Sequence, residues 1–277
     1  MENEKWRMQT LIDALREAAM HHGCSFIRIS PFWRKGTPNS PFSILHSHPS
    51  PMHLLAEHIW YLPLQEYDAW SEGTGDMKHG TTRSEDDIFK NFRATTRNLI
   101  RRAEKEGVTV EASKDPARDL PFFLELHEET RKRHGFTPYT NAFFRSQVEA
   151  FGAISGCTLY LARYQGNVVA TSIHMHLFGE TSYHHGASTQ KFGNIPASYL
   201  LQWMAIKDAL KRGDRIYNFW GIAPEGTKNH PFSGVTTFKT GFGGNLLKLE
   251  HCMDIPLSNR YYITRGFEML RKWRRGF

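Results

Sequence analysis

Thiols are scarce. Cys24, Cys157 and Cys252 are odd in number and far apart, so they supply neither a disulfide framework nor a thiolate zinc site, and they suit a reducing compartment. Long apolar runs are missing as well, since no stretch reaches the ~18 residues needed to span a bilayer. The opening MENEKWRMQT is charged and polar, without a signal-like apolar core, and leads to the expectation of a cytosolic protein that at most touches a membrane from outside. There are no internal repeats of short period and no HExxH string. Acids are in deficit: 35 Lys and Arg against 28 Asp and Glu leave a formal charge of +7 and a pI near 9.3. Such a balance favours anionic partners, among them nucleic acid, phosphorylated metabolites and an acidic membrane face, without choosing one.

What is present is an ordinary globular composition, 40% hydrophobic and 23% charged over 277 residues, enough for one large domain or two small ones. WRMQTLIDALREAAMHHG has helical spacing and ends on Gly23; CSFIRIS and HIWYLPL read as strands. Residues 31–51 are loop, and the Gly-rich 71–82 reads as a boundary or exposed insertion. SEDDIFKNFRATTRNLIRRAEKEG predicts one long helix, with Ser84 and Asp87 at capping-box spacing and Gly107 as the stop. VTVEA follows as a strand, then helical patterns near LPFFLELHEETRKRH and NAFFRSQVEAF. The period then changes to two, and TLYLARY, VVATSIHMHLF and TSYHHGAS make a strand meander. A helix over PASYLLQWMAIKDALKRG, the strand DRIYNFWGI, a last strand near NLLKLEH and a basic amphipathic tail helix complete the chain.

Meander, helix, strand and final strand form an α+β order that fits the acyltransferase superfold, whose central sheet splays open to admit an acyl donor. In that superfold a glycine-rich loop before the long helix holds the pyrophosphate of acyl-CoA. Here the stretch is STQKFGNIPAS, with a single glycine, and a donor other than acyl-CoA is expected.

Three strings, RATTRNLIRRAEKEGVTV, HHGAST with SYLLQWMAIKDALKRGDRIYNFWGI, and FKTGFGG, together resemble the Fem family of peptidoglycan interpeptide-bridge enzymes. The resemblance implies aminoacyl transfer from aminoacyl-tRNA to an amine of a peptidoglycan precursor, in a GNAT-like fold of two acyltransferase-like domains. Residues 81–250 then form the complete second domain, and residues 1–80 with 251–277 a partial first one on the acceptor side. Several elements typical of the family before LIDALREAAMHHGCSFIRIS are missing, as is the coiled-coil arm of some members.

The resemblance makes Lys239 the catalytic cation, stabilising the oxyanion, with Phe238 as the wall against water and the tRNA end. Spacing alone leaves Lys239 open as a surface lysine before a Gly-rich turn. Gly241, Gly243 and Gly244 would turn the backbone tightly or let it approach a ligand closely. Arg97, Arg101, Arg102 and Lys105 on the basic helix are the candidate tRNA contacts, with a solvated basic face as the alternative; Arg97 and Arg101, four apart, share a face. The tail cations Arg271, Lys272, Arg274 and Arg275 are candidates for tRNA phosphate or anionic lipid at the inner membrane face.

For the acceptor, the stretch FTPYTNAF departs from the family pattern Phe-Thr-x-Arg-x-x-x-Tyr: Tyr139 replaces the arginine and Phe143 the tyrosine. A phenol cannot grip phosphate bidentately, and Ser30 stands where the family often has an acid. A nucleotide-linked stem peptide is thereby put in doubt, and a lipid-linked one is the other choice. Thr137, Tyr139, Phe143, Arg133, Arg145 and Tyr183 are the substrate-binding candidates, with Arg131 and Lys132 as nearby cations. No cofactor is expected. Histidines at 46, 48, 53, 174, 176, 184 and 185 suggest a metal, but without HExxH or a cysteine pair no metal site is expected. A hydrogen-bonded strand histidine near the cleft, able to relay a proton, is expected instead. Transfer onto a small-molecule amine, a conventional acyl-CoA N-acyltransferase, and a non-catalytic RNA- or membrane-binding module are the competing readings.

Overall fold

The computed structural model describes residues 2–36, 47–66, 80–134, 138–227 and 230–275. In chain order α1 is Glu2–His21, β1 Phe26–Ile29, β2 His48–Pro49 and β3 His58–Pro63. There follow α2 (Glu85–Asn91), α3 (Ala94–Lys105), β4 (Thr109–Ala112), α4 (Pro116–His134) and α5 (Asn141–Gly152). The meander is β5 (Cys157–Tyr164), β6 (Asn167–Leu177) and β7 (Glu180–Ser188). The chain closes with α6 (Ala197–Arg212), β8 (Ile216–Gly221), α7 (Ser233–Thr240), β9 (Asn245–Lys248), β10 (Met253–Pro256) and α8 (Arg260–Arg275). Together these give the mixed, α+β character expected.

Two compact units divide the chain: residues 1–58 with 247–277, and residues 59–246. The sequence expectation drew its boundaries at residues 80 and 250. The strand β3 moves the first one, because its residues from Ile59 to Pro63 pair antiparallel with β8 and so join the larger unit's sheet. The Gly-rich 71–82, expected as the boundary, lies largely outside the described residues.

In the smaller unit, β10 pairs antiparallel with β1 on one side and β2 on the other. Asp254 of β10 is fully buried and is held by Arg28, whose Nε and Nη2 donate to its two carboxylate oxygens at 2.7 and 3.0 Å.

The larger unit is built on strands in the order β4-β5-β6-β7-β8-β3-β9. Side chains of β5 alternate between its two faces. Tyr160 and Ala162 join a core formed with α3 and α6, including Ile100, Leu201 and Ile206. Leu159 and Leu161 join a second core with Leu120 and Phe123 of α4 and Phe144 of α5. The meander is antiparallel throughout, whereas β7 and β8 run parallel and pair only from Glu180↔Ile216 to Ser182↔Asn218. Beyond Ser182 the two strands part, which is the splay expected of the acyltransferase superfold.

Three elements were not expected, β2 within the loop 31–51, α7 and β10, and one expected element is broken. The long helix predicted from Ser84 breaks at Phe92, whose extended backbone (φ −66°, ψ 148°) ends α2. Phe92 is 1% exposed and packs on Phe89, Trp203 and Phe242 at centroid distances of 5.2–5.6 Å. Burying that ring outweighs helix continuity. Ser84 caps α2 as expected, its Oγ accepting from the Asp87 amide at 3.1 Å.

Candidate active site

Lys239 sits in the last turn of α7, a helix with poor local credentials. Val235, Thr236 and Thr237 are β-branched and Gly234 is flexible. Thr237 and Thr240 return their hydroxyl protons to the carbonyls of Ser233 and Thr236, at 3.1 and 2.9 Å. After α7 the backbone turns sharply: Gly244 has φ +102°, and a Cβ there would stand 2.2 Å from the Tyr61 carbonyl oxygen. The close approach permitted by this glycine is thus to β3 of the same unit.

This turn drives the lysine inward. Lys239 is 7% exposed, and its Nζ donates to the Gly221 carbonyl at 2.7 Å. Tyr183 of β7 presents its ring 5.8 Å from the same nitrogen. The ammonium therefore lies between the two strands that part, touching the end of β8 on one side and facing β7 on the other. Burial pulls its proton affinity down to about 7, and no salt bridge to it is found among the described residues.

The acceptor carbonyl has its own geometry. The β3–β8 register shifts between Ile59 and Tyr61, and opposite that shift Trp220 adopts φ +64°, unusual for a bulky residue. Asn218 supports the bulge by accepting from the Trp220 amide at 2.7 Å. The strained residue thus immediately precedes Gly221, whose carbonyl accepts from Lys239.

Tyr183 is fixed from two sides. His174 stacks on it at 5.4 Å, and a Cβ on Gly186 would meet its hydroxyl at 1.8 Å. Burial pushes the phenol up to about 12, so it stays neutral near Lys239. His174 is fully buried; its Nε2 is 2.7 Å from the Tyr217 hydroxyl, which donates to Gln202 at 2.7 Å. That chain makes Nε2 the protonated nitrogen. Desolvation holds His174 well below the usual imidazole range, so it is neutral. His176 is hydrogen-bonded too, to Thr158 and Thr181 at 2.8 and 3.0 Å.

Phe238 is half-buried, edge-on to Tyr199 at 4.9 Å and to Phe242 at 5.4 Å, and so belongs partly to the core. Tyr139 and Phe143 stack on each other at 4.4 Å, and their rings lie 5.9 and 6.4 Å from that of His185 on β7. Both remain exposed, at 58% and 39%, and form an aromatic shelf. Thr137 lies outside the described residues. Arg133 reaches Ser188 at the end of β7, with Nη1 donating to its carbonyl at 3.3 Å. Arg145 is exposed on α5. Arg131 and Lys132 both pair with Glu128.

The basic helix candidates separate. Arg97 donates to the carbonyls of Lys90, at 2.8 Å, and of Phe92, closing the break between α2 and α3. Arg102 donates to the Asn194 carbonyl and pairs with Glu106. Arg101 is exposed, its guanidinium 5.2 Å from the Phe89 ring, and Lys105 is exposed as well.

Among the described residues the donor set for a divalent cation occurs in the smaller unit, at His53, Glu57 and His251. Glu57 Oε1 lies 2.8 and 2.6 Å from the two Nδ1 atoms, so the rings and the carboxylate also satisfy one another. His251 Nε2 is 2.9 Å from the Ser50 carbonyl. The loop histidine His46 lies outside the described residues, and His48 instead stacks on Tyr261 at 6.0 Å.

The Fem resemblance singled out Lys239 and Phe238, and Tyr183 was among the substrate-binding candidates. It did not find Gly221, Trp220, Tyr217 or Gln202. Their roles come from a bulge and from pairing between distant segments, and neither leaves a local string.

The family model described as an acetyltransferase (GNAT) domain matches residues 90–238. The chain is similar to aminoacyltransferase FemB of Staphylococcus epidermidis, 20% identical, over 90% of this chain and 75% of that protein. Aminoacyltransferase FemA of the same species is 28% identical over 34% of this chain and 22% of its own length. Among solved structures, one described as FemX superposes with a TM-score of 0.78 at 17% identity, covering 94% of this chain and 79% of that one. The likeness to Fem proteins that three short strings carried thus extends over most of the chain.

Proposed function

The chain belongs to the acetyltransferase (GNAT) domain family and is a transferase, and we propose that it moves an amino acid from aminoacyl-tRNA to an amine of a peptidoglycan precursor. The observation that carries this reading is the buried Lys239 between the parting strands, hydrogen-bonded to one backbone carbonyl. Similarity to FemB and FemA supports the kind of group transferred.

The reaction is ester aminolysis. The acceptor nitrogen attacks the carbonyl carbon, the C–N bond forms, and the bond to the ribose oxygen breaks. The proton lost by the nitrogen ends on that ribose oxygen. Charge collects on the carbonyl oxygen in between, and an ammonium with little water around it stabilises that charge more than one in bulk solvent. The activated ester calls for no nucleophilic side chain, so alignment and the oxyanion are the tasks of the site. The Tyr139–Phe143 shelf is suited to an apolar or ring face of the acceptor, and Arg133 and Arg145 to its anionic groups. The smaller unit is assigned to the acceptor side, and the protein to the cytoplasm with peripheral contact at the membrane.

An acyl-CoA donor is disfavoured by a specific contact. In the loop before α6, Glu129 Oε1 accepts from the Gln190 amide at 2.6 Å and the Thr189 hydroxyl at 3.2 Å. A carboxylate occupying those donors repels a pyrophosphate, so no acetyl-CoA binding is expected.

The test is transfer from a panel of radiolabelled aminoacyl-tRNAs to lipid-linked and nucleotide-linked stem peptides. Lys239→Met is expected to lower turnover by ~10²–10³-fold, the scale for one oxyanion donor, while tRNA binding is kept. Unchanged turnover removes Lys239 from the chemistry.

A further inference from the structure

The helix α8 has two opposite faces. Its inner face is anchored within the smaller unit. Tyr261 is fully buried and packs on Phe26 at 5.3 Å. Glu268 takes two hydrogen bonds from Arg28, at 3.0 and 2.6 Å. Arg265 donates to the Pro49 carbonyl at 2.7 Å. These anchors fall at i, i+4 and i+7, one stripe of a helix.

The outer face carries large apolar side chains in the open. Exposure is 54% at Tyr262, 76% at Ile263, 71% at Phe267, 53% at Met269, 54% at Leu270 and 80% at Trp273. Arg260, Arg271 and Arg274 lie exposed along one edge of this stripe. The helix's single acid, Glu268, is on the anchored face and already paired. Phe267, Leu270, Arg271 and Arg274 line a depression of about 460 Å³, where apolar and guanidinium groups lie side by side.

We propose that α8 is an interfacial helix that docks on an anionic lipid bilayer. Its apolar stripe enters the headgroup boundary, and its flanking cations meet lipid phosphates. A span is excluded for this helix, which is too short and too charged. Charge decides the occupant. A second copy would bring a second set of the same arginines against the first, while a nucleic acid would leave Ile263, Phe267 and Trp273 in water. An exposed apolar stripe with cations along its edge fits a surface that is apolar inside and negative at its boundary. This inference extends the membrane contact in the proposed function but needs no transfer activity, so the two can fail separately.

The test is co-flotation of the whole protein with phosphatidylcholine vesicles, with and without about one third phosphatidylglycerol. Binding is expected to the anionic vesicles, weakened at least tenfold in each of two double variants: Phe267→Ser with Leu270→Ser, and Arg271→Gln with Arg274→Gln. All four side chains lie on the exposed face, and thermal melts should match wild type. Equal binding to neutral and anionic vesicles overturns the proposal, as does normal binding by the Phe267→Ser, Leu270→Ser variant. Sedimentation velocity showing a dimer that the same variants dissociate assigns the face to a second copy and overturns it too.

Discussion

Placing an amine where water is scarce lowers its hold on a proton, and at Lys239 the effect reaches folding as well as chemistry. An unfolded lysine releases its proton near 10.4, whereas the folded chain releases it at about 7. Between those values the unfolded chain binds the extra proton, so native stability rises with pH across that window, by up to about 1.4 kcal/mol for each unit. Replacing the lysine by methionine removes the titration and keeps the volume. Lys239→Met is therefore expected to be more stable than wild type at pH 7, with the gap closing as pH approaches 10. Urea unfolding of both proteins at pH 7, 8 and 9 measures it. A gap that does not change with pH would mean that the lysine keeps its ordinary proton affinity in the fold. Together with lost turnover, added stability at neutral pH would mark Lys239 as a residue kept for function at the expense of the fold.

At the scale of elements, the sequence was readable wherever a local rule and the tertiary environment agree. Ser84 caps α2, accepting from the Asp87 amide at 3.1 Å, and Gly213 ends α6 in the left-handed region at φ +77°; both are written in the string. The helix α7 was not readable, because threonines and a glycine argue against helix and only the pull of Lys239 and Phe242 inward favours it. The strand β10 was missed because its partners β1 and β2 are far away in sequence. The break between α2 and α3 was hidden by unbroken helical spacing across Phe92. It leaves carbonyls for which Arg97 supplies the donor, and this gives Arg97 a structural task that spacing alone could not distinguish from phosphate binding. Arg97→Ala is expected to cost about 1.5–3 kcal/mol, the value of charged hydrogen bonds left unmade. Arg101→Ala, one turn on, loses at most about 1 kcal/mol of cation–π contact. Denaturant midpoints of the two variants decide it, and equal midpoints would return Arg97 to the solvated face.

For the whole molecule, the charge of +7 makes binding of the proposed tRNA partner salt-sensitive, but the cations are not equivalent. Arg97 and Arg102 are committed to backbone carbonyls of the larger unit, and Arg131 and Lys132 to Glu128. The outer stripe of α8 combines its cations with exposed apolar groups, a pairing suited to lipid. Arg101 and Lys105, both exposed on α3, are left as the pair that can follow a phosphate backbone without loosening the fold. Each phosphate contact contributes roughly 0.7–0.9 to the slope of log affinity against log salt, through released counterions. Replacing Arg101 and Lys105 by glutamine is therefore expected to flatten that slope by about 1–2 and to weaken tRNA binding at low salt. The Arg271→Gln, Arg274→Gln variant should keep the wild-type slope while losing its hold on anionic vesicles. Filter binding from 50 to 300 mM salt separates the two surfaces. If the tail variant flattens the slope and the α3 variant does not, tRNA follows the tail, and α3 presents nothing more than a solvated basic face.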